Sequence, residues 1–373
     1  MSEQDVSVVK IHTTLVEKIN FACHQSAFAV LRELQIENQD EEQELSDLGV
    51  TLEASPAFVK AKTWTVDRLA AGGLLAMKDR DLELDGSFLL GLTESMRGTV
   101  TIRVTQAEQC LAELVIPVEL LACNEWGGAT YIPELLAAFC TPNDPAVDRL
   151  LGQASQILRK AGKSGSINGY DSGSREQVWL MASAIYSAIV KMQVGYALPP
   201  ASFESNGQKI RLPNQIESAK VATCLDTTLL FAAALEQAQL NPLVILTQGH
   251  ALVGLWLDKE DLSSVVVDEA ETLRQRIPLK ELILIETTFL TNHPAPPFSQ
   301  AVKDGNKQVA LDKDNEFVAA IDIRRARAHR INPISLKTQI AGLAESADVE
   351  GEVEPGLEAA PVDLPSAPVH VED

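Results

Sequence analysis

Cys224 and His250 are the two side chains of this sequence whose positions favour chemistry. Cys224 opens the apolar segment "CLDTTLLFAAALEQA", and His250 opens the apolar segment "HALVGLWL". A cysteine attacks as its thiolate, and a thiol pKa, ordinarily about 8.5, is lowered by a helix N-terminus and by a neighbouring imidazolium. An imidazole base needs an acid on its other ring nitrogen, and Glu286 ends the next apolar run, "LILIE". Together the three residues predict nucleophilic thiol chemistry.

A structural explanation of the same residues stays open at this stage. Cys224 fits a buried helix cysteine, and His250 fits a hydrogen-bonded core histidine. Asp258 and Asp268 are alternatives to Glu286 as the orienting acid. The catalytic interpretation requires that the sulfur of Cys224 is open to solvent and that the ring of His250 faces it.

Four further residues are candidates for contact with a substrate. Gln208 and Gln215 lie upstream of the cysteine, and either amide could donate a hydrogen bond to a developing oxyanion. Trp256 shares the strand face of His250 by two-residue alternation and is, with Tyr196, a candidate wall of a binding cleft. Their structural alternatives are loop-surface amides and core aromatic rings.

The elements that position these residues can be predicted from periodicity. Apolar residues at steps of three and four predict helices in "PAVDRLLGQASQILRK" and "SREQVWLMASAIYSAIVKMQVGY". The proline- and glycine-containing segment 197–220 predicts a structured loop close to Cys224. A strand is predicted in "ELILIETTFL", followed by a mixed helix that ends in "DIRRARAHRI".

The N-terminal third has the pattern of a different fold. Seven short segments with alternating or β-branched residues lie between residues 5 and 122, separated by polar turns. In "GTVTIRVTQ", for example, Val100, Ile102 and Val104 fall on one strand face. We therefore predict an antiparallel β-sandwich (Ig-like) domain over 1–125, a second domain over 126–335, and an acidic disordered tail over 336–373. Gly127 and Gly128 mark the boundary between the first two.

Composition excludes several classes of protein. A net charge of -21 and a pI near 4.7 disfavour direct nucleic-acid binding. No apolar run reaches the roughly 18 residues that span a bilayer, and no signal peptide is recognisable, so we expect a cytoplasmic protein without a membrane partner. The arginines at 324, 325, 327 and 330 are interpreted as a solvated helix face.

The metal-binding residue types are scattered along the chain. The five cysteines include no CxxC pair, which argues against a disulfide framework or a zinc site. The six histidines show no ligand spacing. We therefore expect neither a metal nor a cofactor.

The stretches "VATCLD" (221–226), "GHAL" (249–252) and "ETT" (286–288) resemble the motifs of the transglutaminase-like (papain-fold) superfamily of cysteine peptidases, amidases and acyltransferases. Ala222 stands where that superfamily usually has glycine, and Glu286 where aspartate is commoner. The resemblance implies an α+β fold, a β-sandwich being followed by a papain-like domain, and a catalytic triad of Cys224, His250 and Glu286. It also implies attack on an amide bond of a protein or peptide, with hydrolysis or acyl transfer as the outcome.

A more specific resemblance covers residues 15–335. The stretches "NEWGG", "PPASFESNGQKIRLP" and "FVAAIDIRRARAHRINP" look like the N-terminal region of very large bacterial superfamily 1 helicase-like proteins. This implies a role in bacterial defence and a helicase or nuclease partner. The alternative function is a catalytically inactive module, associated with a helicase, that binds a peptide or partner protein. The sequence has no GxxxxGK[ST] phosphate loop of its own.

Overall fold

The protein is described here from a computed structural model, which covers residues 8–335 together with Glu358 and Pro361. The predicted disordered tail, 336–373, lies outside the described residues except for these last two. The chain is of mixed α+β structure. It divides into two compact units, Met1–Glu125 and Trp126–Asp373.

The first unit is built mainly of strands, which form two sheets. The three-stranded sheet has the order β1-β3-β6, and the five-stranded sheet has the order β2-β8-β7-β4-β5. All pairs are antiparallel except β2 with β8. The elements are β1 (Val9–Leu15), β2 (Lys18–Ile19), α1 (Phe21–Gln25), β3 (Leu31–Asn38), β4 (Leu45–Ser55), β5 (Lys62–Leu69), β6 (Leu74–Ala76), α2 (Gly86–Gly91), β7 (Met96–Gln106) and β8 (Gln109–Leu120).

Alternation identifies the core face of these strands. In β7, Val100, Ile102 and Val104 are fully buried, whereas the residues between them are partly exposed, as predicted. One of the seven segments predicted as strands, "LLAMKDRDLEL" (74–84), is a strand over only its first three residues, because β6 ends at Ala76 and the charged residues that follow lie outside any strand. The two short helices α1 and α2 were not predicted. Each has an N-cap side chain, Asn20 and Asp85, that accepts a backbone hydrogen bond.

The second unit combines helices with one antiparallel sheet of five strands, in the order β15-β17-β13-β14-β16. The described residues of this unit also form four 3-10 helices, Pro133–Phe139, Thr288–Thr291, Lys307–Val309 and Leu311–Glu316. The remaining elements are β9 (Glu125–Trp126, at the boundary), α3 (Pro145–Lys160), α4 (Arg175–Lys191), β10 (Gly195–Tyr196), α5 (Phe203–Asn206), β11 (Gln208–Lys209), α6 (Pro213–Ala219), β12 (Val221–Ala222), α7 (Cys224–Gln237), β13 (Pro242–Thr247), β14 (His250–Trp256), β15 (Val266–Val267), α8 (Ala270–Arg274), β16 (Leu282–Ile285), α9 (Phe298–Asn306), β17 (Phe317–Asp322) and α10 (Ile323–Ala328).

Helix α7 is the central helix of this unit. It packs against β13 and β14 of the sheet and against α3 and α4. Residues Cys224 to Leu235 are all buried, so both the sheet and the helices contact it. The contacts with the sheet and with α3 and α4 fix the direction of α7 and the position of its first residue.

One predicted helix of this unit is wrong. The segment "FVAAID" forms β17, which pairs with β13 in the register Val244↔Ile321, and only the residues that follow are helical, in α10. A short apolar run fits a buried strand as well as a helix. Pairing with a strand more than 70 residues earlier in the chain decides between them.

Candidate active site

The N-terminus of α7 is held by a network around a buried carboxylate. Thr223 caps the helix: its Oγ1 accepts from the Asp226 amide at 3.2 Å, and Asp226 Oδ2 accepts from the Thr223 amide at 2.9 Å. Asp226 is fully buried and also accepts from the backbone and guanidinium of Arg211, at 2.9 and 3.0 Å. Cys224 is therefore the first residue of a rigid helix, as predicted.

His250 begins β14 directly after a two-residue turn. Gly249 has a φ of 67°, a left-handed conformation that glycine adopts without strain. The neighbouring strand β16 pairs antiparallel with β14 in the register Val253↔Ile285. Glu286 follows Ile285, so this pairing places it near the end of β14 at which His250 lies.

The carboxylate of Glu286 has partners on both oxygens. Its Oε2 lies 2.8 Å from Nε2 of His250. Its Oε1 accepts from the amide and the hydroxyl of Thr288, at 3.0 and 2.7 Å. The intervening Thr287 contacts Thr228 of α7, hydroxyl to hydroxyl, at 2.8 Å. The "ETT" motif thus orients the acid and links it to the helix that carries the cysteine.

Thr288 was not identified from the sequence. The sequence feature that could have identified it is a short polar side chain two residues after a carboxylate. At this spacing hydrogen bonds form between a side chain and the nearby backbone.

The imidazole of His250 interacts with both other residues. Burial on its own lowers the imidazole pKa, but hydrogen bonding to Cys224 and to Glu286, and the charges of both, together raise the pKa of His250 to about 9. Burial likewise opposes ionisation of Glu286, yet the hydrogen bonds from His250 and Thr288 hold the pKa of that carboxyl below its usual value. The geometry therefore favours a charged imidazolium paired with a carboxylate. Because Nε2 faces Glu286, Nδ1 is the nitrogen left for the thiol.

Cys224 itself is fully buried, with 0% exposure. The expectation that its sulfur is open to solvent is therefore wrong for this conformation. Tyr196, which is 45% exposed, hydrogen-bonds through its side chain to Cys224. Burial, the charge of Cys224 and this hydrogen bond raise the pKa of Tyr196 to about 12. The cysteine thus lies beneath a tyrosine and beside His250, whose side chain is 22% exposed.

The position of Tyr196 follows from local strand pairing. Strand β10 runs parallel to β12 in the register Tyr196↔Ala222, and the Ala197 amide donates to the carbonyl of Ala222 at 2.9 Å. Ala222 precedes Thr223, the N-cap of α7, by one residue and Cys224 by two. Tyr196, a predicted cleft wall, is therefore held beside Cys224.

The two alternative acids lie elsewhere. Asp258 follows the far end of β14, where it pairs with the buried Arg175, with Oδ2 2.8 Å from Nε. Asp268 follows β15, on the opposite edge of the sheet from β16, and is exposed. Of the three candidate acids, the structure brings only Glu286 to His250.

The two candidate glutamines differ in their surroundings. Gln208 is 3% exposed, and its Nε2 donates to the Thr223 hydroxyl at 3.0 Å, so it lies next to the residue before Cys224. Its amide nitrogen carries a second N–H. Gln215 instead accepts from the Leu212 amide at 2.9 Å and caps α6. The structure thus brings Gln208, but not the side chain of Gln215, to the cysteine.

Trp256 is a core residue, and its predicted role as a substrate wall is wrong. Its side chain is 2% exposed and belongs to a cluster with Leu252, Leu262, Leu273 and Leu284. The alternation that places it on the strand face of His250 is correct, but the two residues lie six positions apart, at opposite ends of β14. A shared face therefore does not place them in a shared site.

Among residues 8–335, 358 and 361, no three histidine, cysteine or acidic side chains group as a metal site. No helix in the same part of the chain is long and apolar enough to cross a membrane.

Comparison with known proteins adds no relative. No protein-family model matches the sequence. Searches of curated proteins and of solved structures likewise found no match. The resemblances to the transglutaminase-like superfamily and to helicase-like proteins therefore stay predictions, and the geometry around Cys224 is the basis for assigning a function.

Proposed function

We propose that the chain is a transglutaminase-like thiol hydrolase or acyltransferase that acts on an amide bond of a protein or peptide. The observation that carries this proposal is the continuous contact of Cys224 with His250 and of His250 with Glu286. A thiol at a helix N-terminus, an imidazole with a raised pKa and a buried carboxylate are the parts that cysteine acyl transfer requires. On this interpretation the second unit is a papain-like domain and the first unit an Ig-like β-sandwich.

The reacting form is the ion pair in which the proton of the Cys224 thiol is already on His250, whose far nitrogen is held by Glu286, in keeping with the raised pKa of that imidazole. The sulfur then forms a bond to the amide carbonyl carbon, and the carbonyl oxygen becomes an oxyanion. Collapse of this intermediate breaks the C–N bond, and His250 gives its proton to the leaving amine. Water attacks the resulting thioester in hydrolysis, or a second amine attacks it in transamidation. Either step restores the thiol.

Gln208 supports the oxyanion in this mechanism. Its amide is anchored to Thr223 by one N–H, which leaves the other N–H free to donate. The backbone amides of the first turn of α7 are a second source of donors. A carbonyl bound over Cys224 would lie within reach of both, which is the arrangement that stabilises charge developing on oxygen.

Access to the sulfur requires a movement of Tyr196. The phenol hydrogen-bonds to Cys224 and, with 45% exposure, lies on the solvent side of a residue with 0% exposure. A substrate carbonyl must therefore displace the ring. Rotation of a partly exposed side chain is a small change compared with opening the core.

Full burial of Cys224 also favours a second candidate function. In a catalytically inactive module the same residues would form a closed hydrogen-bonded network, and the surface around Tyr196 would bind a peptide or a partner protein such as a helicase or nuclease. This alternative predicts that Cys224 is inert. The two functions therefore differ in the reactivity of one sulfur.

Site-resolved alkylation distinguishes them. The chain is treated with iodoacetamide at pH 7, and the rate at each cysteine is measured by mass spectrometry. Exposed Cys110 is the reference for a solvent-accessible thiol, and Cys23, with a pKa raised by burial to about 11, is the reference for an inert one. We expect Cys224 to react measurably faster than Cys23, although its burial slows it relative to a fully accessible thiol, and His250→Ala to abolish that reaction. A Cys224 rate equal to that of Cys23 would support the inactive module.

Turnover is tested against peptide and glutamine-amide libraries. Wild type and Cys224→Ala are compared, and Cys110→Ala is the matched control because it also removes a thiol. Products formed by wild type and by the control, but not by Cys224→Ala, are expected. Identical product profiles of all three proteins would refute the enzymatic proposal.

A further inference from the structure

A second cleft lies at the opposite end of α7 from the cysteine. It is lined by the loop after α3, the turn that follows α7, the segment after β14, and α10. Its volume is about 720 Å³, within the range of small-molecule sites. Because α7 has 14 residues, at about 1.5 Å per residue the cleft is roughly 20 Å from Cys224.

Three cations line this cleft, and two of them are uncompensated. Arg327 binds both oxygens of Glu236, with Nε and Nη2 at 2.8 and 3.0 Å. Lys259 and Arg324, in contrast, form no hydrogen bond or ion pair with any of the described residues. The neighbouring Arg325 differs from these two residues, because it binds the carboxylate of Asp261.

The acidic groups of the cleft do not cancel this charge. Glu236 is neutralised by Arg327, which leaves the exposed Asp171 as the one other carboxylate in the lining. Two cations therefore face one carboxylate. The lining as a whole carries three cations and two carboxylates, although the chain is strongly acidic.

The rest of the lining suits the body of an organic molecule. Ile167, Leu240, Pro242 and the ring of Tyr170 supply apolar surface. The Tyr170 hydroxyl is already used, since it donates to the Trp256 carbonyl at 2.8 Å and accepts from the Asn241 amide at 3.0 Å. The tyrosine is therefore fixed and presents its ring rather than its hydroxyl.

We propose that this cleft binds a small organic phosphate. Lys259 and Arg324 would bind the phosphate oxygens from separate elements, and the apolar lining would contact the organic part. A phosphate monoester, with up to two charges and three acceptor oxygens, matches two separate cations better than a carboxylate does. The site does not involve Cys224, so it is independent of the proposed thiol chemistry.

The probes are adenosine monophosphate and inorganic phosphate, titrated by calorimetry at constant ionic strength into the full chain. We expect saturable binding of the nucleotide, weakened at least 10-fold by Lys259→Gln and by Arg324→Gln. Arg330→Gln is the matched control, an exposed arginine near α10 that does not line the cleft. Cys224→Ala should bind as wild type does.

Several results would overturn this proposal. They are the absence of saturable binding of either probe, an equal loss of affinity in Arg330→Gln, or binding of a single-stranded oligonucleotide without binding of the mononucleotide. Melting temperatures of the three charge variants, Lys259→Gln, Arg324→Gln and Arg330→Gln, within about 2 °C of wild type establish that lost binding does not reflect unfolding.

Discussion

The charge state of His250 is the most direct test of the site, and Glu286→Gln is the variant that changes it. Glutamine keeps the size of glutamate and removes its charge. The carboxylate accepts from Nε2 at 2.8 Å and is 7% exposed, so little solvent screens it. We expect the pKa of His250 to fall in this variant.

The expected fall in the pKa of His250 follows from the interactions that set this pKa in the wild-type protein. Its rise from 6.5 to about 9 corresponds to about 3 kcal/mol of preference for the imidazolium in the folded protein. Burial works against that preference, and hydrogen bonding and charge from Cys224 and Glu286 overcome it. Glu286→Gln removes the charge of one of these two residues and should lower the pKa of His250 by about one to three pH units.

The assay is a pH titration of the histidine ring by long-range ¹H–¹⁵N NMR. The His250 signal is assigned as the one missing from His250→Ala. Glu281→Gln is the matched control, because Glu281 is also an acid next to β16 but pairs with Arg276. A His250 pKa in Glu286→Gln within 0.3 of wild type, or a wild-type value below about 7, would refute the electrostatic argument.

Three other predictions concern access, packing and pH. Tyr196→Ala should raise the alkylation rate of Cys224 at least 10-fold, and an unchanged rate would mean that the phenol does not limit access. Gly207→Ala should cost about 3 kcal/mol or more in urea unfolding, because its Cβ would lie 1.9 Å from a backbone carbonyl oxygen. Gly162→Ala, also at a positive φ (70° against 91° at Gly207) but in open space, measures the cost of a positive φ without a clash and should cost about 1–2 kcal/mol; equal losses would refute the packing argument. The raised pKa of His250 contributes stability that is fully present below pH 6.5 and is lost as the pH rises through about 9. Wild type should therefore lose up to about 3 kcal/mol more than His250→Gln between pH 6 and 10, and parallel profiles would contradict this.

Local patterns predict the elements that depend on local causes. The alternation around Ile102 predicts a strand with one buried face, and the three- and four-residue spacing around Leu150 predicts α3. The start of α7 at Cys224 follows from the cap formed by Thr223 and Asp226. In each case the interactions that determine the structure lie within one turn or one strand of the residue concerned.

Long-range contacts explain the errors. Strand β17 is decided by pairing with β13, which no local pattern encodes. The position of Trp256 in the core depends on residues of α8 and β16 that pack against it. The cover over Cys224 comes from Tyr196, which only the β10–β12 pairing brings there. The sequence indicated the cysteine, the histidine and the acid, and Tyr196 as a wall of the cleft, but not that Tyr196 would cover Cys224.

Access and basicity are separate requirements of the proposed enzyme, and two variants change them independently. Tyr196→Ala removes the side chain that covers Cys224 and leaves the His250–Glu286 hydrogen bond in place. Glu286→Gln lowers the pKa of His250 and leaves Tyr196 in place. If Cys224 is a nucleophile held closed, the first variant speeds its alkylation and the second slows it. If the network is inert, the first variant exposes a thiol with the reactivity of Cys110, and Glu286→Gln in that background changes nothing. The double variant Tyr196→Ala/Glu286→Gln therefore distinguishes a covered active site from a buried hydrogen-bonded core.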